Sequence, residues 1–437
     1  MERGRRGMRA LGIAACLGVV WLTSMAAAGQ RPGVTADDLN ARAVQAYQAK
    51  DYARFLDLEQ KALALDPENP RWAYNVACGE ALTGHAAEAV RVLDGLAERQ
   101  LDMGAEADGD FAGIRQTAEW REFTARLAAL RKPVARSQVA FTLDDPGLVA
   151  TGLAVDPTTG DVYVASVRER KIVRRTREGR VSDFVSTGQD GFLAGAGLAI
   201  DGRRGLLYAS TAAVPFMLGY VPADQGKAGV FAFDLKTGNT ARTAWLRGAG
   251  AGPHFLNNLV VERDGTVLVA DSGSPGVYRW GPGSDALELL PWSTAFRSTQ
   301  GLALSHGEAT LYVTDWSDGV WAVNLANGER RKLEGPAGVW LGGLDGLTPV
   351  RGGFIAVQIG VKPDRVLRLR LDRTGAKIAA VEVLERNRAD YAGPVQGSLD
   401  GKDFLYVANS QLNLVDGTGA FPLERGKATV VLRMRVE

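Results

Sequence analysis

Between residues 139 and 437 one hairpin pattern returns six times. It reads "GLAVDPTTGDVYVAS" from 152, "GLAIDGRRGLLYAST" from 197 and "NLVVERDGTVLVADS" from 258. It returns as "GLALSHGEATLYVTD" from 301, "GLTPVRGGFIAVQ" from 346 and "GSLDGKDFLYVANS" from 397. In each copy apolar residues recur at alternate positions on both sides of a short polar turn, the pattern of two paired strands. Counted by the second strand, Tyr163, Tyr208, Leu268, Tyr312, Ile355 and Tyr406 are spaced 45, 60, 44, 43 and 51 residues apart. The intervals hold further strand-like segments such as "KIVRRT", "GVFAFDL" and "RVLRLRL". Four strands in a period in the forties describe a propeller blade, and six copies predict a mainly β chain with a six-bladed β-propeller. One blade cannot bury both of its faces alone, so the ring must close. The terminal "ATVVLRMRV" at 428–436 is expected to pair near segment 139–143.

The 437 residues exceed what one such ring needs, and the surplus lies in front of it. Residues 35–131 carry a helical period. "KDYARFLDLEQKALALDPENP" sets Tyr52, Phe55, Leu56, Leu63 and Leu65 on one broad apolar face. "GHAAEAVRVLDGLAERQ" repeats the theme 34 residues later, with Gly84-His85-Ala86-Ala87 aligned on Lys50-Asp51-Tyr52-Ala53. Pro67 and Pro70 fall between helix pairs, where they interrupt no helix. On these residues the stretch resembles tetratricopeptide repeats, about two units, with a degenerate third pair expected over 110–130. The resemblance implies a module that docks a protein partner. "KPVARSQ", 132–138, reads as a linker.

Residues 1–28 read as an export signal. Arg3, Arg5, Arg6 and Arg9 precede an apolar run from Ala10 to Leu22, and Ala26-Ala27-Ala28 offers a cleavage site before Gly29. This predicts a periplasmic or secreted protein with no membrane span after cleavage. An uncleaved anchor over 10–28 and a lipobox ending at Cys16 stay open. Cleavage leaves Cys78 alone, so no internal disulfide forms; its helical setting suits a small buried residue better than a nucleophile. With 51 Lys and Arg against 50 Asp and Glu, no net field draws the chain to nucleic acid. Phosphate-binding loops, Cys/His zinc spacings and nucleophile elbows are absent from the sequence.

Propeller topology gathers candidate chemistry at one place. The innermost strand of each blade starts at one face of the ring, so the residues just before the six "GLA"-type segments surround one mouth of the channel. They are Thr151, Ala196, Asn257, Gln300, Asp345 and Gln396. Five are polar and bear oxygen, the ligand type of hard cations such as Ca²⁺. A metal there can polarise an ester or lactone carbonyl. His254, three residues before Asn257, is a candidate proton-transfer group. Trp316 and Trp340 are placed near the same rim. Two long loops, 211–228 and 410–427, border it and carry Phe216, Met217, Tyr220, Leu414 and Phe421. Asp271 and Asp315, which follow second strands, read as turn residues.

At these positions residues 141–437 resemble the gluconolactonase and regucalcin (senescence marker protein) family of six-bladed propellers. The resemblance implies a divalent metal, Ca²⁺ first, in the channel. It places the metal-proximal asparagine on Asn257, a substrate-binding residue on Asn258, and metal ligands on Gln300 and Asp345, with Asp345 also the proposed base. The family's glutamate ligand falls on Thr151. Three departures stand out: Thr151 has no charge, Gln300 replaces an asparagine, and Asn258 replaces an aspartate. Any metal is therefore expected to bind weakly or to be absent. Two functions follow as expectations: a propeller that binds a small ligand without turning it over, and a divalent-metal-dependent lactone or ester hydrolase.

Overall fold

The computed structural model describes residues 34–247 and 252–437. The expected export signal lies outside the described residues, and among these no helix is long and apolar enough to cross a membrane. The chain divides into two compact units. One contains the residues up to Lys132 with the short segments 337–340 and 361–363; the other contains the remainder. The division differs from a propeller running unbroken over 139–437. Trp340 and Val361 are buried in the apolar core of the first unit, so their segments group with it.

Among the described residues that unit is built on five helices: α1 (Ala36–Gln48), α2 (Tyr52–Leu65), α3 (Pro70–Leu82), α4 (Ala86–Glu98) and α5 (Ala118–Leu130). Local chemistry sets their starts. Thr35 and Asp38 form a reciprocal capping box on α1, Asp51 caps α2, Asn69 caps α3 ahead of Pro70, and Thr117 caps α5. The expected third helix pair is only half formed, because residues 109–114 make a short 3₁₀ turn before α5. Cys78 is buried, and His85 sits exposed at the start of α4, bonded to Glu80. Glu59 breaks the apolar pattern of α2. It is fully buried, and no hydrogen bond closes on either carboxylate oxygen. Burial pushes its carboxyl up to about 7, an effect that Asn75 and Arg71 offset only in part.

The second unit has six four-stranded antiparallel sheets. Strand β1 (Gln138–Leu143) opens the unit. Blade 1 follows with β2 (Ala150–Val155), β3 (Val162–Ser166), β4 (Ile172–Arg175) and β5 (Val181–Val185). Blade 2 contains β6 (Ala194–Asp201), β7 (Leu206–Ala212), β8 (Ala228–Asp234) and β9 (Thr240–Trp245). Blade 3 contains β10 (Leu256–Val261), β11 (Val267–Asp271), β12 (Gly276–Trp280) and β13 (Glu288–Leu289). Blade 4 contains β14 (Thr299–Leu304), β15 (Thr310–Asp315), β16 (Gly319–Asn324) and β17 (Arg330–Lys332). Blade 5 contains β18 (Leu344–Val350), β19 (Gly353–Gln358), β20 (Arg365–Leu371) and β21 (Ile378–Arg386). Blade 6 joins β22 (Gly397–Asp400), β23 (Asp403–Val407) and β24 (Thr429–Arg435) to β1. The register Val139↔Leu432 through Leu143↔Thr429 closes the ring with both ends of the propeller sequence.

Apolar faces of neighbouring blades form the cores. Tyr163, Ile172, Leu207, Phe231 and Phe233 share one cluster, and Leu268, Val277, Leu311 and Val323 share another. Trp280 is buried edge-on to Tyr208, while Trp292 and Trp321 pack at the border of blades 3 and 4. The inner strands approach so closely that side chains are excluded at their seams. A Cβ on Gly152 would lie 1.8 Å from the Ala196 carbonyl oxygen, and one on Gly197 would lie 1.9 Å from that of Asn257. The expected linker is also structured. Val134 pairs with Arg386, and the amides of Arg136 and Ser137 donate to the buried Glu385 carboxylate on β21.

Two stability measurements test this packing. Gly197→Ala is expected to destabilise the chain by about 3 kcal/mol in urea unfolding, because neither backbone at the seam can retreat. Gly202→Ala, which meets nothing within 4 Å, should change stability by less than about 0.5 kcal/mol. Glu59 has a folded pKa above its ordinary value of 4.5. The helical unit should therefore be most stable below about pH 4.5 with respect to this group and lose about 3 kcal/mol as pH rises through 7. Glu59→Gln should remove that pH dependence.

Candidate functional site

The channel mouth is shaped by β-bulges. In blades 1 to 5 the inner strand carries one extra residue against its partner. The jumps fall between Ala150 and Gly152, Gly195 and Leu198, Leu256 and Leu259, Thr299 and Leu302, and Leu344 and Gly346. Thr151, Ala196, Asn257, Gln300 and Asp345 occupy these bulges. A bulge releases a residue from the ladder and re-aims its side chain, which is why such irregularities suit binding sites. Hydroxyls on second strands take up the freed amides: Ser210 accepts from Gly197 N–H at 2.8 Å, and Thr314 accepts from Gly301 N–H at 2.6 Å. Blade 6 has no such jump.

Four ring residues form two direct pairs. The Asn257 carboxamide donates to Gln300 Oε1 at 2.6 Å, and Gln300 in turn donates to Ser298 Oγ at 3.3 Å. Asp345 Oδ2 accepts the Gln396 backbone N–H at 3.2 Å. The Thr151 hydroxyl is committed elsewhere, donating to the Gly195 carbonyl of blade 2 at 3.1 Å. Asp345 is half-buried and forms no ion pair among the described residues. Loss of water around its carboxyl outweighs the Gln396 hydrogen bond and pushes it up to about 6.

The remaining sequence candidates lie apart from these pairs. Asn258 is buried, and its Oδ1 accepts the Leu302 N–H of blade 4 at 3.2 Å. It occupies the seam position that is Gly152, Gly197, Gly301, Gly346 and Gly397 in the other blades, and its hydrogen bond locks two blades together. Trp340 is buried in the core of the helical unit. Trp316 does lie at the mouth end of blades 4 and 5. Its amide donates to Ser298 O, its carbonyl accepts from Gly343 N–H, and its half-buried indole rests on Gly360. His254 Nδ1 meets Asp271 Oδ2 at 2.5 Å, with the imidazole almost buried. No hydrogen bond joins His254 to Asn257, Gln300 or Asp345 among the described residues.

The carboxylates that end the second strands hold turns, as expected of Asp271 and Asp315, and reach neighbouring loops as well. Asp271 accepts from Phe255, Gly273 and Ser274 amides as well as meeting His254. Asp315 accepts from Arg297, Ser298 and Ser317 amides. Gln358 holds the same place in blade 5, bonded to Gly342 O and to Arg365. Their shared offset from the second strand was the available signal. The two long loops spend their apolar residues on each other: Phe216 and Met217 are buried with Val167, Leu193 and Val214, and Leu412 and Val415 pack against them.

This donor set does not fit a hard divalent cation. Ca²⁺ requires six to eight oxygens and gains affinity from ligand charge. Here one carboxylate stands alone, Gln300 Oε1 already accepts an N–H, and Thr151 is turned into a seam. A second group of ligand-type residues, Cys78, Asp108 and Asp110, lies within 4.8 Å in the helical unit. Its oxygens are engaged: Tyr47 donates to Asp110 at 2.7 Å and Tyr74 donates to Asp108 at 2.8 Å. The Cys78 thiol also donates to Asp110. That group is a buried hydrogen-bond network.

No protein-family model matches the chain, and no curated protein matches it. Among solved structures it is similar to a gluconolactonase of Xanthomonas campestris, at 16% identity over 70% of this chain and 93% of that one, with a TM-score of 0.44. It is similar to a calcium-binding regucalcin of Agrobacterium tumefaciens, at 16% identity over 68% of this chain and 96% of that one, TM-score 0.47. It is also similar to virginiamycin B lyase of Staphylococcus aureus, at 12% identity over 61% and 80%, TM-score 0.43. At these identities and scores the likeness concerns the propeller fold alone.

The mouth geometry yields one stability prediction. A raised Asp345 pKa means that ionisation opposes folding, so its contribution is lost as pH rises from its ordinary 3.8 through about 6. Asp345→Asn should stabilise the protein by about 2 kcal/mol at pH 8, the open side of the carboxylate screening part of the effect, and leave it unchanged near pH 3. Paired urea titrations at the two pH values check this.

Proposed function

We propose that the protein is a small-molecule-binding propeller that holds a polar ligand at the channel mouth without catalysing its turnover. The observation that carries this reading is Asp345: a carboxylate kept half-buried, without an ion pair, at a cost in stability. Its neighbours Asn257 and Gln300, on bulges, and Gln396, just before β22, supply amide donors and acceptors. The basic and apolar pattern of residues 1–28 supports export to the periplasm or beyond, and the repeat-like helices support a docking role toward a protein partner. The alternative, a metal-dependent lactone or ester hydrolase, is favoured by one feature, the His254–Asp271 pair, which is built like an oriented base. The absence of a fitting ligand set at Asn257, Gln300 and Asp345 weighs against it.

A ligand-observed NMR screen of polar fragments against the full chain tests the reading. Hits are expected that weaken by about tenfold or more in Gln300→Ala and Asp345→Ala proteins that retain their thermal transition. Hits indifferent to both substitutions would move the binding site elsewhere. Turnover of a lactone panel, abolished by chelation, would replace this reading with the hydrolase.

A further inference from the structure

Resting on the small-ligand reading, we infer that the ligand carries an ammonium group, seated at the Asp345–Gln396 step of the ring. Of the six mouth positions only Asp345 is ionisable, and it is an acid. Its oxygen Oδ2 receives one backbone N–H, from Gln396. Neither carboxylate oxygen is sealed from solvent without a partner, so acceptor capacity remains open to the channel. No ion pair reaches this carboxylate among the described residues, and the Gln396 amide is its one hydrogen-bond donor there. A carboxylate in this setting lacks a counter-charge, and a ligand cation supplies one.

The surroundings fit one positive charge with several N–H donors. The Gln396 side chain lies against Gly346, where an added Cβ would be 2.9 Å from its Oε1. This carboxamide has no hydrogen-bond partner among the described residues. It stands beside Asp345 and adds a neutral acceptor. An ammonium group has three donors and needs a few acceptors with one negative charge among them, whereas Ca²⁺ demands many oxygens and more charge. Gln300 cannot add to a cation cage while its Oε1 holds Asn257, but an ammonium does not require it. The departure from a metal-binding charge set thus defines a preference for an organic monocation.

Calorimetry on the full chain with matched pairs separates the possibilities: phenethylamine with 2-phenylethanol, 4-aminobutanol with 1,4-butanediol, and calcium chloride alone. At about pH 7.5 and low salt, an amine should bind at least about tenfold more tightly than its alcohol partner. Asp345→Asn, in a protein that retains its thermal transition, should erase that difference. Gln396→Leu should weaken the amine alone. Alcohols binding as well as amines, or amine binding unchanged in Asp345→Asn, would overturn the ammonium assignment and leave the small-ligand reading in place. Binding of calcium with no amine binding would overturn it in favour of a metal site. If no amine binds and the fragment screen is also silent at the mouth, both readings fall together.

Discussion

The close approach of successive inner strands determines what the rest of this propeller can do. Where Gly152 meets Ala196 and Gly197 meets Asn257, backbone lies where a side chain would otherwise stand. Strands this close leave a narrow channel and bring ring residues of adjacent blades within hydrogen-bond reach. The pairing of β1 with β24 keeps them there, since a ring joined within one blade cannot open without breaking that ladder. The contacts Asn257–Gln300 and Asp345–Gln396 are consequences of the same geometry, each spanning one blade border.

The six-fold repeat was legible because alternation and turn chemistry are local. A residue every second position and a turn such as Asp264-Gly265 require no knowledge of neighbours, so blade count, order and closure follow from the sequence. Ring membership was legible for the same reason: equivalent offsets in equivalent blades point to one face. What each ring side chain does was not. Asn257 and Asn258 are adjacent in sequence, yet one reaches across the mouth to Gln300 and the other turns into the seam toward Leu302. A bulge decides between them, and a one-residue slip in pairing leaves no mark in hydrophobic periodicity. The burial of Trp340 among helices was hidden for a different reason. A large indole suits a rim and a core equally well, and the segment that carries it packs with helices more than 200 residues earlier. The docked linker was hidden likewise, since its anchor Glu385 lies about 250 residues away.

Buried polar groups in this protein fall into two kinds. Asp271, Asp315 and Glu385 each collect several donors and fasten loops or termini to blades. Truncating one would strand its partners. Glu59 and Asp345 differ in their donors. Burial raises their carboxyls as it raises that of Asp315, but Asp315 accepts three amides, Asp345 accepts one, and no hydrogen bond closes on the Glu59 carboxylate. Asn257, on the equivalent bulge of blade 3, shows that a neutral amide fits such a position.

That contrast bears on function through location. Glu59 lies sealed among helices, where its charge can alter stability but touch no ligand. Asp345 carries a similar penalty at a ring position of the inner strands, where the residue is only half-buried. A charged group destabilises a fold when it lacks a partner, and the deficit closes when the partner arrives from solution. The binding free energy then includes the relief of that deficit, so a matched cation gains affinity from a penalty the free protein already carries. A neutral ligand collects no such gain. On the proposed reading the lone carboxylate is the selectivity element, and the amides of Asn257, Gln300 and Gln396 would set the shape of what accompanies the charge.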